Sequence, residues 1–238
     1  MTISKELFIN NLNKFNISIN DSQLEMFDKY AEMLITWNKK FNLTAIKEPD
    51  DIVIKHFVDS LTVMSEFSFE SGKKLIDVGT GAGFPGIPLL IMNNDLKVTF
   101  LDSTGKKISF INAVLDELGL DGETLNCRAE EAANDSFYRE KFDYSTARAV
   151  AELRNIAEFC LPFVKIGGTF ISMKGARAQE EIDLSNKAIT VLGGKIEKIQ
   201  SFEIDSCGER TLIFIKKMSQ TPTKYPRNYS QITKNPIV

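Results

Sequence analysis

A short apolar run, Lys74 to Val78, leads straight into Asp77-Val-Gly79-Thr-Gly81-Ala-Gly83, and this junction constrains the fold most tightly. Glycines at such a point let a strand turn abruptly into the next element and let another group approach the backbone. The same texture repeats downstream. Lys97 to Leu101, Thr124 to Cys127, Phe142 to Thr146 and Thr169 to Met173 read as further strands, with helical periodicity over 105–118, 152–161 and 176–192. Strands that alternate with helices pair in parallel, which requires helices on both faces of the sheet. The last two runs differ. Lys195 to Phe202 and Arg210 to Lys216 are separated only by a turn around Asp205-Ser-Cys-Gly208. They predict a terminal antiparallel hairpin, giving a mostly parallel, seven-stranded, Rossmann-like α/β sheet.

Residues 1–65 have another character. Leu7, Phe8, Leu12 and Phe15 recur at helical spacing, as do Leu24, Phe27, Tyr30, Ala31, Leu34 and Ile35 after a break over 17–20. Asn20 or Asp21 is placed to cap the second helix. Pro49 opens a third, carrying Ile54, Phe57, Val58, Leu61 and Val63. Such helices need an apolar surface to cover, so the expected organisation is an N-terminal helical cap (1–65), an α/β domain (66–220) and a surface-lying tail (221–238).

The chain of 238 residues is long enough for one α/β domain with a small extra lobe. Cys127, Cys160 and Cys207 lie far apart with no C-x-x-C pair, against a disulfide framework or cysteine zinc site. No cluster of His, Cys or carboxylates suggests a metal. The N-terminus lacks the apolar run of a signal peptide, and no apolar stretch is long enough to span a bilayer, so a cytoplasmic monomer is expected. The net charge is -3, yet no acidic residue follows Glu209 while Arg210, Lys216, Lys217, Lys224, Arg227 and Lys234 do. That basic end is either a solvated tail or a phosphate contact.

Ligands of doubly wound sheets bind beyond the carboxyl ends of the strands, where the glycine loop lies. No G-x-x-x-x-G-K-[ST] is present, which removes the phosphate-cradling loop of nucleotide hydrolases. A dinucleotide remains a rival, because Gly81-Ala-Gly83-Phe-Pro-Gly86 satisfies G-x-G-x-x-G and Asp102 follows at about the distance of a ribose-binding acid. Two features favour S-adenosylmethionine. The Asp77 carboxylate precedes the glycines, where it can receive a charged amino-acid moiety or hold the loop amides, and where it repels a pyrophosphate. Pro85 and Pro88 also remove backbone N–H groups that a pyrophosphate uses. Asp102 doubles as a helix cap, and Glu130 and Glu131 suit either a first helical turn or an adenine contact.

Trp37-Asn-Lys-Lys-Phe-Asn-Leu-Thr-Ala45, His56-Phe-Val-Asp-Ser-Leu61, Gly83-Phe-Pro-Gly-Ile-Pro88, Leu101-Asp-Ser-Thr-Gly-Lys-Lys107, Arg128-Ala-Glu130, Thr146-Ala-Arg-Ala-Val-Ala151, Met173-Lys-Gly175 and Lys224-Tyr-Pro-Arg227 follow in that order. Together they resemble the bacterial RsmG family, also called glucose-inhibited division protein B. The resemblance covers nearly the whole chain. It implies a class I methyltransferase fold and methylation of guanine N7 in 16S ribosomal RNA, on naked RNA, a precursor or the small subunit. By the same resemblance Gly79, Gly81 and Gly83 line the methionine portion of the cofactor, and Asp77, Thr80, Phe84 and Arg148 are also expected among the cofactor-binding residues. Arg148 follows the fourth strand, where class I enzymes present the target base. Asp102 lies near the cofactor's ribose, and Ala129 and Glu130 near adenine. Arg148, Lys174, His56 and Asp59 are the candidate catalytic residues, with Asn42 and Thr44 closing the cleft from the cap. One departure is visible: Asn228-Tyr-Ser-Gln-Ile-Thr-Lys-Asn-Pro236 lacks the glycine and proline usual after Tyr-Pro-Arg.

Guanine N7 carries no proton, so transfer to it needs alignment and charge control and no general base. His56, the only histidine, is therefore expected to shape the site, and Arg148 and Lys174 to stand beside the reacting atom. Trp37, Phe41 and Phe57 either stack a base or belong to the core. Asp59 and Arg148 are expected to pair. Valine at Gly81 is expected to block the ligand with little loss of fold. Two alternatives stay open: a non-enzymatic RNA- or ribosome-binding module, and a methyltransferase with another substrate.

Overall fold

Side-chain caps define where the first helices begin. In the computed structural model, which describes residues 2–237, Ser4 accepts from the Leu7 N–H and opens α1 (Lys5–Asn13). Asn20 and Gln23 form a reciprocal capping box at the start of α2 (Asp21–Phe41), which ends at Asn42 in the left-handed region (φ 50°). The single third helix expected from the sequence is segmented. It runs as α3 (Pro49–Ile52), a π-helical segment Val53–Val58, α4 (Asp59–Leu61) and α5 (Val63–Glu66). The π segment carries His56, and wide turns of this kind concentrate at functional sites.

The sheet then follows as β1 (Lys74–Val78), α6 (Gly86–Met92), β2 (Lys97–Leu101), α7 (Gly105–Leu118), β3 (Gly122–Leu125), α8 (Ala129–Asn134), β4 (Phe142–Arg148) and α9 (Leu153–Cys160). It closes with β5 (Val164–Lys174), α10 (Ala178–Val191), β6 (Gly194–Ile204) and β7 (Gly208–Lys217), and α11 (Tyr229–Lys234) ends the chain. The seven strands lie in the order β3-β2-β1-β4-β5-β7-β6. Only β7 runs antiparallel to its neighbours, as the terminal hairpin requires. The third strand lies earlier than the expected Thr124 to Cys127. Its register against β2 pairs Val98 with Gly122 and Leu101 with Leu125, and Asn126 has already left the ladder to bond the Asp102 carbonyl.

The sheet has a core on each face. On one face the helices of residues 1–65 share a single apolar cluster with α6 and α7, built on Phe8, Phe27, Tyr30, Phe57, Phe100 and Phe110. The other face is covered by α9 and α10, through Leu153, Ile156, Phe159 and Ile189. Phe57 is fully buried, and Trp37 packs against Phe110 with ring centroids 5.5 Å apart. Phe41 packs against Trp37 in turn. These three aromatics belong to the cap's packing, and none forms part of the large cleft described below.

The tail is anchored, which corrects the picture of a freely solvated basic end. Three of the cations after Glu209 are consumed internally: Arg210 by Asp59, Lys217 by Glu140 and Arg227 by Glu158. Glu158 is buried, and it accepts from the Arg227 backbone N–H (2.8 Å), Nε (2.9 Å) and a terminal guanidinium nitrogen (2.7 Å). Arg227→Ala strands that carboxylate in an apolar wall, so a loss of about 2–3 kcal/mol is expected. Thermal unfolding monitored by circular dichroism checks it. An unchanged midpoint would show that the tail is not held by this pair.

Candidate active site

At the carboxyl ends of the parallel strands the loops after β1 to β5 enclose a cavity of about 1140 Å³. The cap contributes Leu43, Thr44, Ile46, Lys55, His56 and Asp59 to its wall, and the tail contributes Tyr229. The cavity lies beside the switch between β1 and β4, where an open α/β sheet receives its ligand.

The glycine loop divides into parts with different work. Gly81 has φ +63°, and a Cβ there would meet no atom within 4 Å, so its backbone borders open space. A Cβ on Gly79 would stand 2.8 Å from Val150, across the mouth of the cleft. Gly83 does not line the cavity. A Cβ there would meet Ile87 at 2.4 Å and the Tyr30 hydroxyl at 2.9 Å, so its role is close packing against the cap. Tyr30 itself donates to the Ala82 carbonyl at 2.5 Å and ties α2 to the loop.

Asp77 lies beneath the loop, fully buried and outside the cavity wall. Its Oδ2 accepts from Thr80 Oγ1 (2.6 Å) and from the Gly86 N–H (2.9 Å), whereas Oδ1 has no partner among the described residues. Of the two roles open from sequence, the structure gives it the holding of the loop. Burial raises its pKa to about 6 against the hydrogen bonds from Thr80 and Gly86. A cationic ligand close to the loop would favour the carboxylate, and that orphan oxygen fits a sulfonium amino acid better than a pyrophosphate.

Asp102, at the end of β2, joins the loop to the next strand. It accepts from the Gly81 N–H (3.1 Å), the Thr104 N–H (2.9 Å) and Lys107 Nζ (3.2 Å). The N-cap position of α7 is Thr104, so Asp102 holds the turn before the helix, and it also lines the cavity. Ala129 and Glu130 open α8 on the same wall.

On the opposite wall Arg148, the last residue of β4, reaches into the cap. It donates to Asp59 Oδ2 (2.7 Å), the Lys55 carbonyl (3.1 Å) and the His56 carbonyl (3.4 Å), and lies 3.1 Å from His56 Nδ1. The pairing of Asp59 with Arg148 is thus present. Asp59 holds a second cation, Arg210 Nε, at 2.9 Å. His56 stacks on Phe84 with centroids 4.3 Å apart, and Arg148 stands 5.0 Å above the same ring. Lys174 is not free: it pairs with Glu181 Oε2 at 2.7 Å and donates to the Ala151 carbonyl, bracing the loop after β4. Asn42 ends α2 in the left-handed region and is not part of the cavity wall.

Burial, and secondarily the Arg148 charge, lower the His56 pKa to about 3. The folded protein therefore holds a neutral imidazole. Stability from this group is complete above its ordinary pKa near 6.5 and is lost as pH falls toward 3, because the unfolded chain takes up the proton first. Asp77 has the opposite sign: its raised pKa makes stability fall as pH rises from about 4 through 6. The comparison with His56→Gln isolates the histidine. Between pH 7 and pH 5 the parent is expected to lose about 2 kcal/mol more than the variant in urea unfolding. Equal losses would refute a buried neutral histidine.

Sequence reasoning missed Tyr30, Glu181 and the role of Arg210, which counted only as a tail charge. The hairpin carried a signal for the last. β7 runs antiparallel to β5, so its first residues stand beside Lys174, paired with Thr211, at the ligand end of the sheet.

The strand order, the glycine loop after β1 and the cleft at the strand ends are those of the class I methyltransferase fold. Residues 23–213 match the profile of the GidB family, rRNA small subunit methyltransferase G. Ribosomal RNA small subunit methyltransferase G of Acetivibrio thermocellus is 48% identical over 235 residues, covering 98% of this chain and 96% of that protein. The protein of the same name from Lactobacillus acidophilus is 46% identical over 99% of this chain and all of its own (100%). The chain belongs to the rRNA small subunit methyltransferase G family. Among solved structures, a SAM-dependent methyltransferase from Aquifex aeolicus superposes with a TM-score of 0.52 at 19% identity, over 76% of this chain and 97% of its own. The cyclase SpnF gives the same TM-score at 15% identity, over 68% of this chain and 82% of its own, so the shared fold does not by itself specify the chemistry. Among the described residues no helix is long and apolar enough to cross a membrane.

Proposed function

We propose that this chain transfers a methyl group from S-adenosylmethionine to N7 of a guanine in 16S ribosomal RNA. One observation carries the reading beyond family membership: the two cap groups facing the cleft that could serve as a base, His56 and Asp59, are already committed. His56 is neutral, with Nδ1 bound by Arg148 and Nε2 by Thr44, and Asp59 is held between two arginines. Neither is available to take a proton from an acceptor. That suits a nucleophile with a lone pair and no proton to lose, as N7 is.

S-adenosylmethionine, when bound, supplies an electrophilic methyl on a sulfonium. Gly79, Thr80 and Gly81 would hold its amino-acid end, Asp102 its ribose, and Ala129 and Glu130 its adenine. Phe84 and Arg148 form the wall that aligns the base, and Arg148 holds the cap against β4 so that the cleft keeps its width. The exposed Lys224 and Lys234 offer charge to RNA phosphates outside it.

The test is product mapping. The protein is incubated with small subunits and small-subunit RNA lacking the modification and with labelled donor, and the RNA is then digested to nucleosides. Label in 7-methylguanosine is the expected result. Label in another nucleoside would overturn the substrate assignment, and no label in either RNA form would favour the non-enzymatic module.

A further inference from the structure

The polarity of the His56 network can be assigned atom by atom. A guanidinium has only donors, so His56 Nδ1, 3.1 Å from Arg148, must present its lone pair. A neutral imidazole then carries its proton on Nε2, which donates to Thr44 Oγ1 at 2.8 Å. The same oxygen accepts the Ile46 N–H at 3.1 Å. A hydroxyl has two acceptor positions and one proton. Both acceptor positions on Thr44 are filled, and its own proton has no acceptor among the described residues. Asn38 holds the backbone of this residue in place through the Thr44 N–H and the Thr44 carbonyl, both at 2.9 Å. Thr44 is part of the cleft wall, beside His56 and Asp59.

A hydroxyl that ordinarily donates or accepts is thereby fixed as a donor. We infer that the Thr44 hydroxyl donates to O6 of the target guanine and selects guanine over adenine, an inference that rests on the guanine-N7 reading. On the edge that carries N7, guanine presents a carbonyl oxygen and adenine an amino group. A donor-only hydroxyl bonds the first and opposes the second. As N7 gains positive charge, O6 becomes a poorer acceptor, so the contact serves binding and selection more than the methyl-transfer step. Its loss falls on KM. His56 and Arg148 are positioning residues for this contact.

The experiment is a cycle between one protein change and one substrate change. Thr44→Val removes the hydroxyl, and Thr44→Ser retains it. The substrate is reconstituted small-subunit RNA carrying guanine or 2-aminopurine at the methylated position; 2-aminopurine keeps N7 and lacks O6. On guanine, Thr44→Val is expected to lower kcat/KM about tenfold, mostly through KM, and Thr44→Ser to stay within a few-fold. On 2-aminopurine, Thr44→Val and the parent are expected to be equal. Donor affinity measured by calorimetry stays unchanged. A purely structural role predicts the same loss on both substrates, and that result, or no loss on guanine, would overturn the inference. The parent's product on guanine RNA separates the two levels. Methylation away from N7 overturns reading and inference together, whereas 7-methylguanosine with an additive cycle overturns the inference alone.

Discussion

Arg148→Ala is expected to lower methyl transfer by about 100-fold, the cost of misplacing reacting groups by about 1 Å. The side chain is 11% exposed and serves four acceptors on the cap. Without it Asp59 keeps only Arg210, His56 Nδ1 loses its donor, and the π segment no longer has a fixed distance from β4. Stability should fall as well, by about 2–4 kcal/mol, because a nearly buried carboxylate loses its nearer counter-charge. Arg148→Lys should recover little. An ammonium is a point charge and cannot bond Asp59, a carbonyl and the imidazole from one rigid plane. Single-turnover transfer rates, with unfolding midpoints for each variant, check both parts. Transfer within threefold of the parent in Arg148→Ala would remove this residue from the site.

Gly81→Val is expected to abolish donor binding at concentrations about 100-fold above the parent's Kd, since the added side chain enters the open space the loop borders. The expectation of little cost to the fold does not survive the structure. Gly81 has φ +63°, a conformation that costs an L residue about 1–2 kcal/mol and a β-branched one more. Gly119 provides the control. It also has φ +63°, a Cβ added there would likewise meet nothing within 4 Å, and it caps α7 away from the cavity. Gly119→Val should show a comparable drop in stability with donor affinity intact. If Gly81→Val bound the donor as the parent does, the loop would not be the donor's seat. Equal loss of binding in both variants would assign the effect to strain.

Elements whose signals are local were legible before the fold was known. The helix over 105–118 matches α7 because its apolar periodicity is written within one stretch. The helix expected over 152–161 and the terminal hairpin are within a residue or a few of their observed bounds for the same reason. The third strand was displaced because its limits are set by register against β2, which no local pattern encodes. The third cap helix is segmented by the π turn at Val53–Val58, whose Lys55 carbonyl accepts from Arg148 of β4, a contact that no local pattern encodes.

The site divides along the same line. By itself the sequence determined the glycine loop, the acids that precede and follow it, the mostly parallel sheet and the family; each rests on residues adjacent in the chain or on an ordered series of short motifs. Tertiary structure alone decided what those residues do. It buried Asp77 under the loop, turned Gly83 toward Tyr30, spent Lys174 on Glu181 and half of the basic end on internal carboxylates. It also brought Arg148 to Asp59 across 89 positions, added Arg210 from the hairpin, and so fixed the proton on His56 and the direction of the Thr44 hydroxyl. The physical reason is the range of the interactions. Backbone periodicity and caps act over a turn or a strand, whereas the protonation and hydrogen-bond polarity of a buried group depend on every charge and dipole packed around it.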